Sequence, residues 1–166
     1  MSQNFRNKLM CIGLLIGCIF NSYADQAKSA AADFTLKSQS GENLRLQEMR
    51  GEVVLINFWA SWCGPCRQEM PYLEKIQQKY HDLGFTVLGI NVEEDSTAAK
   101  ALLKELSVSF PILFDDKNTV SEMYKVDAMP MTVLVDRDGY QRYLHRGYQS
   151  GDEVKYQKII KALLRE

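Results

Sequence analysis

The sequence predicts an α/β protein: a central mixed sheet with helices on both faces. Three observations lead there. Val53 to Trp59 and Phe85 to Asn91 are short runs rich in β-branched and aromatic residues with hardly a polar side chain, as strands buried on both faces require. Between them, Leu73, Ile76 and Tyr80 recur at helical spacing. Strand-like and helix-like segments then keep alternating to the C-terminus, the pattern of a layered α/β domain.

The elements follow in order. Asp33-Phe34-Thr35-Leu36 and Leu44-Arg45-Leu46 flank the turn Gln39 to Asn43 and read as an opening hairpin. Val53 to Trp59 is the central strand. The next helix starts at Cys63 and Cys66 and stops at Gly84. Pro71, inside it, withholds a backbone donor and is expected to kink it. After the strand Phe85 to Asn91, Ser96 or Thr97 is expected to cap a helix that turns Leu102, Leu103 and Leu106 inward. Phe110 to Phe114 reads as a short extended piece and Val120 to Tyr124 as a short helix. Met131 to Val135 and Tyr140 to Leu144 form a hairpin through Asp136-Arg137-Asp138-Gly139. Val154, Ile159, Ile160 and Leu163 mark a closing helix.

A chain of 166 residues fits one domain, and 46% hydrophobic with 25% charged residues fits a globular core. The formal net charge of −1 supplies no basic footprint, so nucleic acid is not an expected partner. Arg6 and Lys8 precede the apolar stretch Leu9 to Phe20, which is too short to span a bilayer and suits a signal-peptide core. Ser22 and Ala24 place the cleavage before Asp25. The expected organisation is therefore a leader over 1–24, a mobile linker over 25–32 and one domain over 33–166. A rival reading takes Leu15-Ile16-Gly17-Cys18 as a lipoprotein signal with Cys18 lipidated, and a third keeps the leader as a membrane tether. Either rival adds a lipid or N-terminal membrane anchor. Arg6 and Lys8 are the leader's only charged residues, so its removal takes the formal charge from −1 to −3.

Export also settles the cysteine count. With cleavage before Asp25, Cys11 and Cys18 leave with the leader, and only Cys63 and Cys66 remain. A bond closing so small a loop constrains the unfolded chain little, so the pair is there to react. Zinc would need further Cys or His ligands at suitable spacing, and His81 and His145 stand far apart in sequence. Arg67 follows Cys66 where a haem-attachment motif needs His. A CxxC directly after a buried strand reads as a dithiol–disulfide switch that needs no cofactor.

Asn57-Phe58-Trp59-Ala60-Ser61-Trp62-Cys63-Gly64-Pro65-Cys66, together with Pro71 and Met129-Pro130 before a strand, resembles thioredoxin. The leader, the opening hairpin and an extra helix–strand unit between Asn91 and Pro130 resemble the exported TlpA/ResA-type oxidoreductases, including those serving cytochrome c maturation. The resemblance covers Asp33 to the end and implies a thioredoxin-like three-layer sandwich. It implies that Cys63, ahead of the helix, is the nucleophile, since backbone N–H groups and the helix dipole there favour thiolate. Cys66, more covered, would resolve the mixed disulfide. Trp62, Gly64, Pro65, Met129 and a cis Pro130 would form the substrate rim, with Trp59 in the core. Thioredoxin's buried aspartate and lysine are replaced by Asn57 and Gly89, and Met131 stands where Thr is usual. Glu69, one turn past Cys66, matches a glutamate of the exported subgroup and would exchange a proton with that thiol. The alternative for Glu69 is a solvated face paired with Arg67 or Lys75.

The function expected is reduction of protein disulfides, with a protein disulfide as substrate and a membrane thiol–disulfide donor as electron source. Oxidase or isomerase chemistry is disfavoured by CGPC and by the absence of a large helical insertion. A different class remains open: a thioredoxin-like metallochaperone holding copper through Cys63 and Cys66.

Overall fold

A computed structural model describes residues 29–166. The expected leader, with Cys11 and Cys18, and the first half of the expected linker lie outside the described residues. The second half of that linker is tied down. Ser29–Ala30 (β1) pairs antiparallel with Tyr140–Arg146 (β8), and Ala31 and Phe34 are buried.

Among the described residues, eight strands form one sheet in the order β1-β8-β7-β4-β5-β6-β2-β3. Val53–Trp59 (β4) runs parallel to Phe85–Asn91 (β5) and antiparallel to Met131–Val135 (β7). Ile112–Phe114 (β6) is parallel to β5 and joins the opening hairpin of Thr35–Ser38 (β2) and Asn43–Arg45 (β3) to the sheet. The fold is thioredoxin-like, as the sequence implies. All seven residues of β4 are buried, and so are all seven of β5. The alternation of side chains along β4 divides the core. Val53, Leu55 and Trp59 face Gly64–Tyr80 (α1) and Asp152–Leu163 (α4), while Val54, Ile56 and Phe58 face a second cluster with Phe34, Leu46, Val120 and Tyr124. The first cluster also takes Leu102 and Leu103 of Thr97–Leu106 (α2), and Leu106 packs against it half-buried. The short helix Thr119–Met123 (α3) covers the opposite face.

Helix α1 runs through Pro71 and ends in a tight turn at His81–Leu83, closed by Gly84 at φ 81°. That left-handed conformation favours glycine.

Two local expectations are corrected. Neither Ser96 nor Thr97 caps α2 with its side chain; Asp95 Oδ1 instead accepts from the Thr97 N–H at 2.9 Å and the Thr97 hydroxyl at 2.6 Å. In α4, Val154 is 64% exposed, and the buried face is Asp152, Tyr156, Ile160 and Leu163. The inward spacing therefore starts from Asp152 and Tyr156, and Val154 falls on the opposite side of the helix.

Candidate active site

Strand β4 delivers the chain to a short loop, Ala60 to Trp62, that ends at Cys63. The loop is clamped from the segment just after β5. Glu93 accepts from the Ser61 N–H and from the Ser61 hydroxyl, each at 2.7 Å, and from the Asn91 side-chain amide at 2.8 Å. Sequence reasoning missed Glu93, which shares no motif with the cysteines.

Cys63 occupies the N-cap position of α1 and is joined to Cys66 by a disulfide, their Cα atoms 5.3 Å apart. The Cys66 N–H donates to Cys63 Sγ at 3.2 Å. This is one of the donors that the first turn of a helix cannot satisfy internally, and it is aimed at the sulfur. Pro65, in that first turn, gives up an N–H that has no intrahelical partner. Cys66 is fully covered and Cys63 retains 4% exposure. In this oxidised state Cys63 is more covered than a freely reachable sulfur. Trp62 beside it is 70% exposed, and Trp59 is wholly buried.

The Met129–Pro130 peptide is cis, and Pro130 is buried just ahead of β7. The Pro130 carbonyl accepts from the Gly147 N–H at 2.7 Å, which ties the loop to the end of β8. A groove of about 360 Å³ opens there; Pro65, Met129, Tyr148, Gln149 and Lys155 contribute to its walls. A concavity of about 780 Å³ lies at the β2–β6 edge and includes none of the sequence-predicted site residues. Met131 faces the second core cluster rather than this groove.

Glu69 is not on a solvated face and pairs with neither Arg67 nor Lys75. It is completely buried one turn beyond Cys66. Asn57 donates to its Oε2 at 2.7 Å, Tyr156 donates to Oε1 at 3.0 Å, and the Thr132 hydroxyl stands 3.5 Å from Oε1. Asn57 and Thr132 are direct neighbours across the β4–β7 ladder, and the amide also donates to Thr132 Oγ1 at 3.0 Å. Burial is the dominant effect and pushes the Glu69 carboxyl up to about 7, although these neutral hydrogen bonds pull the other way. Asn57 and Thr132 were legible as polar residues in buried strands, and Tyr156 through its spacing of four from Ile160. None of the three was expected to act at the site. No lysine could stand at Gly89 without rearrangement, since a Cβ there would lie 2.8 Å from Ile112 Cδ1 and 3.0 Å from the Phe110 ring.

Among the described residues, no cluster of three or more His, Cys, Asp or Glu side chains could hold a metal ion. None of the described helices is long and apolar enough to cross a membrane.

A CxxC disulfide at a helix N-cap on this fold, with a cis proline before the neighbouring strand, defines a thiol–disulfide oxidoreductase. Comparison with known proteins agrees, and the chain belongs to the Redoxin family, whose model matches residues 26–160. It is 35% identical over 155 residues to the thioredoxin-like protein YneN of Bacillus subtilis, spanning 89% of this chain and 90% of that protein. It is 32% identical over 127 residues to the thiol-disulfide oxidoreductase ResA of Geobacillus kaustophilus, spanning 76% of this chain and 73% of that protein. A Chlorobium tepidum structure assigned to the DsbE thiol:disulfide interchange proteins superposes with a TM-score of 0.80 at 35% identity, covering 82% of this chain and 96% of that one.

Proposed function

We propose that this protein is an exported reductant of protein disulfides. Its Cys63/Cys66 pair would cycle between dithiol and disulfide and be recharged by a membrane thiol–disulfide donor. The observation that carries the proposal is the Glu69 carboxyl, sealed one helical turn past the covered resolving cysteine in a shell of neutral donors. A reductant must deprotonate that second thiol to complete its turnover, and a carboxyl near 7 can accept the proton at neutral pH.

The cycle balances as a two-electron exchange. The Cys63 thiolate attacks one sulfur of the substrate disulfide and expels the other as thiolate. Helix N-termini lower cysteine pKa values from about 8.5 into the range of roughly 3.5 to 7.5. Cys66, losing its proton to Glu69, attacks Cys63 Sγ, closes the internal disulfide and releases the second substrate sulfur. Substrate leaves reduced, and the protein is left oxidised, the state of the present structure. Trp62 offers an apolar rim, Gly64 a bare backbone and Pro65 a rigid edge, while the Met129 backbone beside Pro130 pairs with an extended substrate segment.

The reading extends to the paired cysteines of an apocytochrome c as a substrate class, and to an extracytoplasmic location reached through the leader over 1–24. It has one direct test. Purified protein should accelerate insulin reduction by a dithiol and retain no stoichiometric copper, and Cys66→Ala should hold substrate on Cys63. Stoichiometric copper without turnover would establish the metallochaperone instead.

A further inference from the structure

We infer that Tyr156 is a positioning residue of the redox cycle: its hydroxyl, carried in by α4, fixes the Glu69 carboxyl for proton exchange with Cys66. This rests on the role proposed for Glu69. The two carboxyl oxygens are held from opposite layers, Oε2 by Asn57 from the sheet at 2.7 Å and Oε1 by Tyr156 from the helix at 3.0 Å. With Asn57 alone, the carboxyl would keep one oxygen free to turn, because Thr132 is a distant partner at 3.5 Å. Tyr156 cannot drift. It is fully buried, and its ring meets His145 edge-on at 5.6 Å and Tyr143 at 6.3 Å.

The phenol suits both states of its neighbour. It donates to the carboxylate and can accept the proton of the neutral acid, and a buried hydroxyl without a partner would be destabilising. The other groups acting on Glu69 are few. Asp152, also on α4, disfavours its negative charge, and the Tyr148 phenol interacts with it from the loop before α4. Asn57 of β4 and Thr132 of β7 do not ionise, and Cys66 lies on its own helix. Asp152 is itself held by Lys155 at 2.8 Å and His145 at 3.0 Å.

The test is the pH profile, from 5 to 9, of single-turnover insulin reduction by the reduced protein, compared across wild type, Tyr156→Phe, Glu69→Gln and the double variant. Wild type should show an inflection near neutrality that Glu69→Gln abolishes. Tyr156→Phe removes a hydrogen bond that is stronger to the carboxylate than to the neutral acid, so the inflection should move to higher pH by about one unit, or tenfold in the proton equilibrium. Adding Tyr156→Phe to Glu69→Gln should move nothing further. An inflection left in place by Tyr156→Phe but abolished by Glu69→Gln overturns the inference and spares the Glu69 reading. An inflection that survives Glu69→Gln at a pH away from the Cys63 alkylation midpoint overturns both. Titration of the Glu69 carboxyl carbon by NMR in the oxidised protein gives an independent readout. Tyr156→Phe should raise the midpoint there too, and an unchanged midpoint overturns the inference.

Discussion

Asn57 and Glu69 meet across the interface between β4 and α1, with the amide donating to the carboxyl at 2.7 Å. Strand residue and helix residue are both buried, and the only ionisable member of the pair is on the helix. The carboxyl thus stands one turn along the helix that carries the cysteines, while the strand contributes a neutral donor.

Glu69 should make stability depend on pH. Its ordinary value is 4.5 and its folded value about 7, so the native state holds this proton more tightly than the unfolded chain. That advantage is fully present below about pH 4.5 and is gone above about pH 7. Relative to Glu69→Gln, the oxidised wild type should therefore lose on the order of 3 kcal/mol across this window. Urea unfolding at pH 4.5 and pH 8 measures the difference. Parallel curves for the two proteins would show that Glu69 does not titrate in this range.

Asn57→Asp would set a second carboxyl against the first. Two carboxylates so close cannot both ionise readily, so the pair should share a proton, with one apparent pKa displaced upward. The variant should be less stable than wild type at pH 8 by about 2 kcal/mol and close to it at pH 5. Equal stability at both values would mean that the side chains separate on substitution.

Glu93→Ala strips the loop ahead of Cys63 of its clamp, leaves the Ser61 N–H and hydroxyl without their acceptor, and leaves the Asn91 amide only its longer bond to the Trp59 carbonyl at 3.4 Å. The site is only partly covered and water can replace some bonds, so a loss of about 2 kcal/mol is expected by urea unfolding. The alkylation rate of Cys63 in the reduced variant should change as well. A variant with wild-type stability and wild-type alkylation would show that the clamp does not hold the loop.

Asp152 should support the fold against acid. Its carboxyl is lowered from 3.8 to about 2, first by Lys155, then by the Gln149 N–H and His145. The stabilisation is complete above pH 3.8 and disappears as pH falls through about 2. Asp152→Asn should flatten that acid limb of the unfolding curve, more visibly at low salt because Lys155 is exposed. An unaltered limb would place the acid sensitivity elsewhere.

Much of this was legible from residue patterns. The doubly buried strands announced themselves by lacking polar residues, and the CxxC after β4 marked the site. The shell around Glu69 was harder to read because its members lie on β4, β7 and α4, and only tertiary packing brings Asn57, Thr132 and Tyr156 together. Val154 was misread for a local reason. Apolar side chains at helix positions near 154 and 159 obscured a spacing carried by a tyrosine and an aspartate. Glu93 clamps the loop through Ser61, a pairing made by neighbouring strands and invisible to periodicity.

The most direct measurement is timed alkylation of the fully reduced protein across pH 5 to 9, with mass spectrometry locating the label. Label should enter Cys63 well before Cys66, with a midpoint clearly below the 8.5 typical of free cysteine. Label arriving first at Cys66, or a Cys63 midpoint at or above that value, would contradict a thiolate nucleophile at the helix cap.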